Sequence, residues 1–301
     1  MKAIAGRLLF VAFGLSFASS AYAGKCSWST APPAADAGSY SVFSPAPLDG
    51  VTSFTIRCNP NTTGTIKLSV GSSSTSYTPR TLAQGALKLP YNAYLDAAAT
   101  LIWGDGTSGT TAYEVYNGEP HDKVFTDQIY IRVPAVADAS AGVYEDTITA
   151  TLSWGNNQSD TVTFKVRATV IPECTATTTD LNFGAYDPLV INAITPKDSS
   201  SAVTVYCTKG VASILTMGGG ANASGAVRRM RTGVNGYLSY EIYKDGARSI
   251  IWNATNTNSA TSTSKSTPLG GGAFTAFGRI PAGQDPVPGN YADVMTVTVN
   301  Y

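Results

Sequence analysis

GNYADVMTVTVNY, residues Gly289 to Tyr301, alternates Met295, Val297, Val299 and Tyr301 with Thr296, Thr298 and Asn300. A period of two puts one set on a packed face and the other in solvent, the pattern of a half-buried β-strand. An earlier stretch, Gly142 to Trp154 (GVYEDTITATLSW), sets Ile148, Ala150, Leu152 and Trp154 against Thr147, Thr149, Thr151 and Ser153. That earlier copy continues. After a polar turn, Gly155 to Asp160, Val162, Phe164, Val166, Ala168 and Val170 alternate with Thr161, Thr163, Lys165, Arg167 and Thr169. The first half is therefore expected to own a closing strand that the second half lacks.

The two halves match elsewhere. Leu89 to Asp96 followed by Thr100 to Trp103 answers to Leu238 to Asp245 followed by Ser249 to Trp252, and both read as hairpins. Ile131-Arg132-Val133-Pro134-Ala135 matches Gly278-Arg279-Ile280-Pro281-Ala282, and Gly142-x-Tyr144-x-Asp146 matches Gly289-x-Tyr291-x-Asp293. Four cysteines can pair in three ways. Cys26 to Cys58 spans 32 residues and Cys174 to Cys207 spans 33, and each pair opens one half, which favours those two bridges. In the chain-entropy model each closes a loop worth about 3–4 kcal/mol. A four-cysteine metal site is the weaker reading, because no CxxC spacing occurs and an oxidising compartment favours bridges.

Met1 to Ala23 has the form of a secretory signal: Lys2 and Arg7, an apolar run from Leu8 to Phe17, then Ala21-Tyr22-Ala23 as a cleavage site before Gly24. Elsewhere no run approaches the twenty apolar residues of a membrane helix. With 20 basic and 20 acidic residues, the chain has no electrostatic footprint for nucleic acid. Abundant Gly, Ser, Thr and Tyr with no long helical pattern point to an all-β fold of two tandem immunoglobulin-like sandwiches. The expected division is 24–170 for a self-complete first unit and 171–301 for the second, with Ile171-Pro172-Glu173 between them. Gly71 to Ser76, Gly218 to Gly225, Asn253 to Thr267 and Gly270 to Gly272 read as surface loops by composition.

A sandwich without its last strand exposes apolar side chains and unpaired backbone groups. If the absent strand would bury about five side chains at about 1.5–3 kcal/mol each, roughly 7–15 kcal/mol is forfeited. Domain stability is itself typically about 5–15 kcal/mol, so the second unit needs a strand from outside. Only Gly24 and Lys25 precede Cys26 after cleavage, which leaves no arm to donate and predicts a chain that accepts a strand at one end of a polymer.

In the second half stand Leu181-Asn182-Phe183-Gly184-x-Tyr186, Tyr206-Cys207-Thr208, Arg228-x-Met230, Tyr237-Leu238-x-Tyr240-x-Ile242-Tyr243-x-Asp245, Trp252, Gly278-Arg279-Ile280-Pro281 and Gly289-x-Tyr291-x-Asp293. Together these resemble the spore coat protein U domain, the pilin-type module of archaic chaperone–usher pili. The first half resembles it more distantly. Its cysteine pair, Tyr94, Trp103 and Gly-x-Tyr-x-Asp persist, while a Leu-x-Phe-Gly motif after the first cysteine is absent. Two such modules with no arm are similar to the tip adhesins of Csu-type pili, which serve surface attachment and biofilm formation. The resemblance implies a periplasmic chaperone that lends a strand, an outer-membrane usher, and replacement of the lent strand by the arm of the next pilus subunit. It places Met295, Val297, Val299 and Tyr301 at the chaperone and donor-strand contact.

Signals for chemistry are sparse. His121 is the single histidine and reads as a solvated loop residue, and no Gly-x-Ser-x-Gly elbow occurs. Gly218 to Gly220 lacks the Gly-Lys-Ser/Thr of a phosphate loop, and Gly104-Asp105-Gly106 lacks the alternating acids of a calcium loop. Arg228, Arg229 and Arg231 read as a solvated strand edge. No enzyme, cofactor or metal is expected. The turn bearing Asn157 and Gln158 is expected at the pole far from the second unit. The tip adhesins that the chain resembles use loops with exposed apolar side chains, a device that suits inert hydrophobic surfaces, and the resemblance thereby makes Leu95, in Leu95 to Ala99, and Pro134 and Val136, in Pro134 to Ala141, candidates for binding an abiotic or host surface. A structural pilus or spore-coat-like subunit, and an extracellular carbohydrate-binding or hydrolytic protein, are the other readings.

Overall fold

The structure, a computed structural model, describes residues 24–155, 157–233 and 235–301. Met1 to Ala23, expected to be a secretory signal, lies outside the described residues. Ten strands build the first unit: β1 (Cys26–Thr30), β2 (Ala35–Tyr40), β3 (Leu48–Cys58), β4 (Thr62–Leu68), β5 (Arg80–Gln84), β6 (Leu87–Tyr94), β7 (Tyr113–Asn117), β8 (Lys123–Val133), β9 (Gly142–Trp154) and β10 (Gln158–Val170). They join in the order β1-β3-β8-β6-β5-β9-β10-β2, with β4 linking β7 to β9. Eight strands build the second: β11 (Cys174–Thr178), β12 (Lys197–Cys207), β13 (Ala212–Met217), β14 (Arg228–Thr232), β15 (Gly236–Tyr243), β16 (Asn258–Thr261), β17 (Phe274–Ile280) and β18 (Val297–Asn300). These form a five-stranded sheet, β11-β12-β17-β15-β14, and a three-stranded one, β16-β13-β18. The protein is all-β, two tandem sandwiches built on one repeated plan.

The repeat is visible in register. Asp49 stands opposite Arg132 between β3 and β8, and Asp198 opposite Arg279 between β12 and β17. Trp103 and Trp252 are fully buried, and each indole N–H donates to a carbonyl, of Ile66 and of Leu215, at 3.0 Å. Disulfides join Cys26 to Cys58 and Cys174 to Cys207, each pair directly opposed across two neighbouring antiparallel strands.

Three expectations are corrected. Asn253 to Thr267 is not loop throughout: β16 pairs with β13, its polar residues serving as one edge of a small sheet. The pattern from Met295 onward yields regular strand over Val297–Asn300 alone, because β18 has a ladder on one side only. Arg228 is no solvated edge residue. It is 4% exposed, ion-pairs with Glu241, and donates to the carbonyls of Gly218 and Trp252 at 3.0 and 2.8 Å. Arg80 repeats this in the first unit, donating to Ser69 and Trp103 carbonyls and to Asn92 Oδ1. A guanidinium carries five N–H donors, so one that meets several backbone carbonyls is a structural tie.

The two units are joined tightly. The Ser41 hydroxyl donates to Glu173 at 2.6 Å, the Lys265 ammonium to the Val42 carbonyl at 2.6 Å, and the Lys265 backbone N–H to Asp138 Oδ1 at 3.0 Å. Ser140 bridges to Lys209 as a short parallel pair.

Candidate functional site

In the first unit β9 pairs with β10 along its whole length, and β10 pairs in parallel with β2. β10 thus lies between two strands and closes the seam. Its inward side chains Phe164, Val166, Ala168 and Val170 are buried, as are Ile148, Ala150 and Leu152 of β9.

In the second unit β18 stands where β9 stands, pairing with β13 as β9 pairs with β4. Beyond it, among the described residues, no strand follows. The counterpart of β2 is Leu181 to Tyr186. The Gly184 N–H donates to Asn182 Oδ1 as that of Gly38 does to Asp36 Oδ1, and both glycines have positive φ, 68° and 93°. Tyr186 donates to the Pro281 carbonyl as Tyr40 does to that of Pro134. Without a neighbour Leu181 to Tyr186 is not strand. On the side of β18 away from β13, where β10 lies against β9 in the first unit, no ladder is recorded among the described residues, which leaves an open slot with an unpaired backbone edge.

Side-chain burial follows. Met295, Val297 and Val299 pack on the second core yet are only half-buried, where Ile148, Ala150 and Leu152 are fully enclosed. Tyr186 and Tyr291 are half-buried, where Tyr40 and Tyr144 are sealed. Tyr301 is 60% exposed. Of the four residues expected at the strand contact, Met295, Val297 and Val299 lie together on the second core, while Tyr301 lines a separate shallow depression with Ser213, Ile214 and Ser259. Three more that sequence reasoning did not place at the slot line its far wall: Leu181, Phe183 and Gly278. A Cβ on Gly278 would stand 2.6 Å from Leu181 and 2.8 Å from Phe183, so that wall is packed without space. The signal was the motif Leu181-x-Phe183-Gly184, whose partner in the first unit, Ala35-x-Ala37-Gly38, is disguised by alanine.

The remaining candidates separate in space. β9 ends at Trp154 and β10 begins at Gln158, at the end remote from Val170 and the second unit. Asn157 and Gln158 therefore sit at the outer pole, beside the turns at 59–61 and 118–122 that join β3 to β4 and β7 to β8. The Trp154 indole donates to Gln158 Oε1 at 3.0 Å, and Tyr116 nearby is 60% exposed. His121 lies in this pole, its carbonyl accepting from Asn117. Pro134 and Val136 lie at the opposite end, in the loop whose Asp138 and Ser140 meet the second unit. That loop is a junction, not an outer tip, because β8 ends beside the interdomain linker; Val136 itself remains 58% exposed. Leu95 is on the flank of the first unit, in the hairpin closed by Tyr94 and Ile102. Among the described residues no group of three His, Cys, Asp or Glu is placed to hold a metal, and no helix is long and apolar enough to cross a membrane.

The profile of the Spore Coat Protein U domain matches residues 12–151 and again 160–298. This chain belongs to the Spore Coat Protein U domain family, which it carries twice. Protein U of Myxococcus xanthus is 31% identical over 130 residues, 40% of this chain and 71% of that protein. Among solved structures, the chain resembles the CsuC–CsuE chaperone–tip adhesion subunit pre-assembly complex from the archaic chaperone-usher Csu pili of Acinetobacter baumannii. The TM-score is 0.52 at 16% identity, covering 92% of this chain and 100% of that one. The CupB6 tip adhesin of Pseudomonas aeruginosa aligns over 92% of this chain and 95% of its own, at 8% identity and a TM-score of 0.39. The fold is pilin-type.

Proposed function

We propose that this protein is a subunit of a chaperone–usher pilus whose second unit is completed by a strand from another polypeptide. The observation that carries the reading is the open slot beside β18. In the first unit β10 fills that place, antiparallel to one neighbour and parallel to the other. A donor with apolar residues at alternate positions would gain a double ladder of main-chain bonds and cover Met295, Val297 and Val299. A periplasmic chaperone is the first donor, and the arm of the next subunit replaces it at an outer-membrane usher. The first unit, already closed by β10, points outward as a tip adhesin for abiotic or host surfaces, with attachment and biofilm formation as its role. Asn157 and Gln158 are its candidate contact residues, at the outer pole.

The test is completion in cis. A copy of Thr161 to Val170, fused behind a flexible linker to the full chain, is expected to turn a protein prone to aggregation and proteolysis into a soluble one with cooperative unfolding of the second unit. A fusion with the alternation scrambled is the control. If the unfused chain is already monomeric and cooperative, or both fusions behave alike, the strand-acceptor reading fails. Immunogold labelling at one fibre end supports the tip position; labelling along the shaft supports an ordinary structural subunit.

A further inference from the structure

On the flank of the first unit, Asp49, Gly50, Tyr94, Tyr130 and Arg132 line a cavity of about 240 Å³, with Ala99 at its rim. The second unit has the same lining in register: Asp198, Ser199, Tyr243, Phe277 and Arg279. There the space is taken by Arg248. Its Nε donates to the Gly278 carbonyl at 3.2 Å and its Nη2 to the Ser199 carbonyl at 3.3 Å. Its Nη1 lies 3.3 Å from Asp198 Oδ2, and its guanidinium stands 5.7 Å from the Phe277 ring centre.

Arg248 and Ala99 are equivalent residues in equivalent loops. Both have positive φ, 57° and 58°, and both donate their N–H to the carbonyl of the aspartate three residues earlier at 3.0 Å. Those aspartates, Asp96 and Asp245, close the two loops with the same bonds, to Thr100 and Leu101 and to Ser249 and Ile250. The side chain of residue 99 therefore leaves its loop in the direction that Arg248 takes, and in alanine it stops at the first carbon. In the second unit two arginines share one carboxylate; in the first, Asp49 has Arg132 alone, and its side chain is 54% exposed. A carboxylate can accept about four hydrogen bonds, so Asp49 keeps capacity for a second cation. Tyr130 offers a ring face where the second unit offers Phe277, and a tyrosine face attracts a guanidinium at least as well.

We infer that the first-unit cavity is a guanidinium site, filled by an arginine side chain of another polypeptide as Arg248 fills its counterpart from within the chain. The ligand class is set by shape and charge together: a planar cation between a tyrosine face and a carboxylate, with the Gly50 and Ile131 carbonyls at its rim. This site is separate from the strand slot and does not rest on the pilus reading.

The experiment is calorimetric titration of the full chain, in one preparation state across variants, with N-acetyl-L-arginine N-methylamide and with its lysine and citrulline analogues. The wild type is expected to bind the arginine probe at one site, and the uncharged citrulline probe about tenfold or more weakly, since a hydrogen bond to a charged group is at stake. Ala99→Arg is expected to abolish binding by filling the cavity, and Asp49→Asn to weaken it about tenfold. Arg248→Ala is expected to open a second site and raise the stoichiometry to two, which keeps the test decisive if Ala99→Arg misfolds. Absence of wild-type binding, equal affinity for citrulline or lysine, or binding that survives in a folded Ala99→Arg protein overturns the proposal. Free L-arginine binding as tightly as the blocked probe overturns the polypeptide source.

Discussion

The Tyr240 hydroxyl donates to Asp293 Oδ2 over 2.7 Å, and in the first unit Tyr91 donates to Asp146 Oδ2 over the same distance. The other oxygen of each carboxylate accepts from a turn, from the Asn222 N–H in one case and the Ser73 N–H in the other. The aspartate of Gly-x-Tyr-x-Asp, in β9 of the first unit and in the segment leading into β18 of the second, thus ties its own segment to a turn and to a central strand. Burial, together with the adjacent carboxylate, pushes both tyrosine hydroxyls well above their ordinary range. Removing either hydroxyl leaves an oxygen short of a partner. Tyr91→Phe, beside the buried Asp146, is expected to cost about 1–3 kcal/mol. Tyr240→Phe should cost less while the seam is open, since water reaches the half-buried Asp293, and should approach the Tyr91→Phe value once a donor strand is bound. Urea unfolding of the full chain with and without the strand fusion measures both.

The buried arginines give a second prediction. Arg80 is matched to a neutral amide, Asn92, and Arg228 at the equivalent place to the carboxylate of Glu241. The first unit shows that this position works with an amide. Glu241→Gln is therefore expected to cost about 1 kcal/mol or less, whereas Glu241→Leu strips a buried cation of its partner and should cost about 3–5 kcal/mol. Denaturant midpoints of the two variants check the order, and equal losses would show that the charge itself is required.

Acid sensitivity follows from the carboxylates. The Arg132 side chain holds Asp49 below the usual carboxylate range, and Arg279 does the same for Asp198. Backbone N–H groups act likewise on Asp96, led by Leu101, and on Asp245, led by Ser249. A carboxyl more acidic in the folded than in the unfolded chain binds fewer protons when folded, so its contribution is complete above the unfolded value, about 3.9, and is lost as pH falls through the folded one. Stability should be flat from neutrality to about pH 5 and fall below about pH 4. In Asp198→Asn the neutral-pH stability is expected to drop and the acid limb to flatten. Urea midpoints across pH 7 to 3 read both.

How much of this was legible in the sequence depends on distance along the chain. β9 and β10 alternate over a tight turn, so pattern alone placed them, and the equal cysteine spacings placed the two bridges. The parallel pairing of β10 with β2 joins residues more than a hundred apart and left no local trace. β18 is legible in the alternation of Val297 and Val299, whereas Leu181 to Tyr186 carries no periodicity because it is not strand. Arg228 looked like an ordinary surface cation, since burial of a guanidinium depends on which carbonyls converge around it.

The far wall of the slot also explains why the two units resisted alignment there. In the first unit Ala37 packs closely over Gly50, whose β8 partner is the buried Ile131; the second places Leu181 and Phe183 against Gly278, the counterpart of Ile131. Volume removed from one strand has been added to the other. The large residue of the second unit stacks edge-on against Tyr240, with ring centres 6.1 Å apart, so Phe183 reaches the core directly over the missing side chain of residue 278. Gly278→Ala alone is expected to destabilise by about 1–3 kcal/mol through overpacking, because its Cβ would strike both Leu181 and Phe183. Phe183→Ala alone should cost about 3–5 kcal/mol through the cavity it leaves. If the exchange is real, Gly278→Ile costs less when combined with Leu181→Ala and Phe183→Ala, the first unit's arrangement, than it does alone, a coupling of about 0.5–3 kcal/mol in a cycle that treats the two alanines as one change. Strictly additive losses would show that the two walls are set independently.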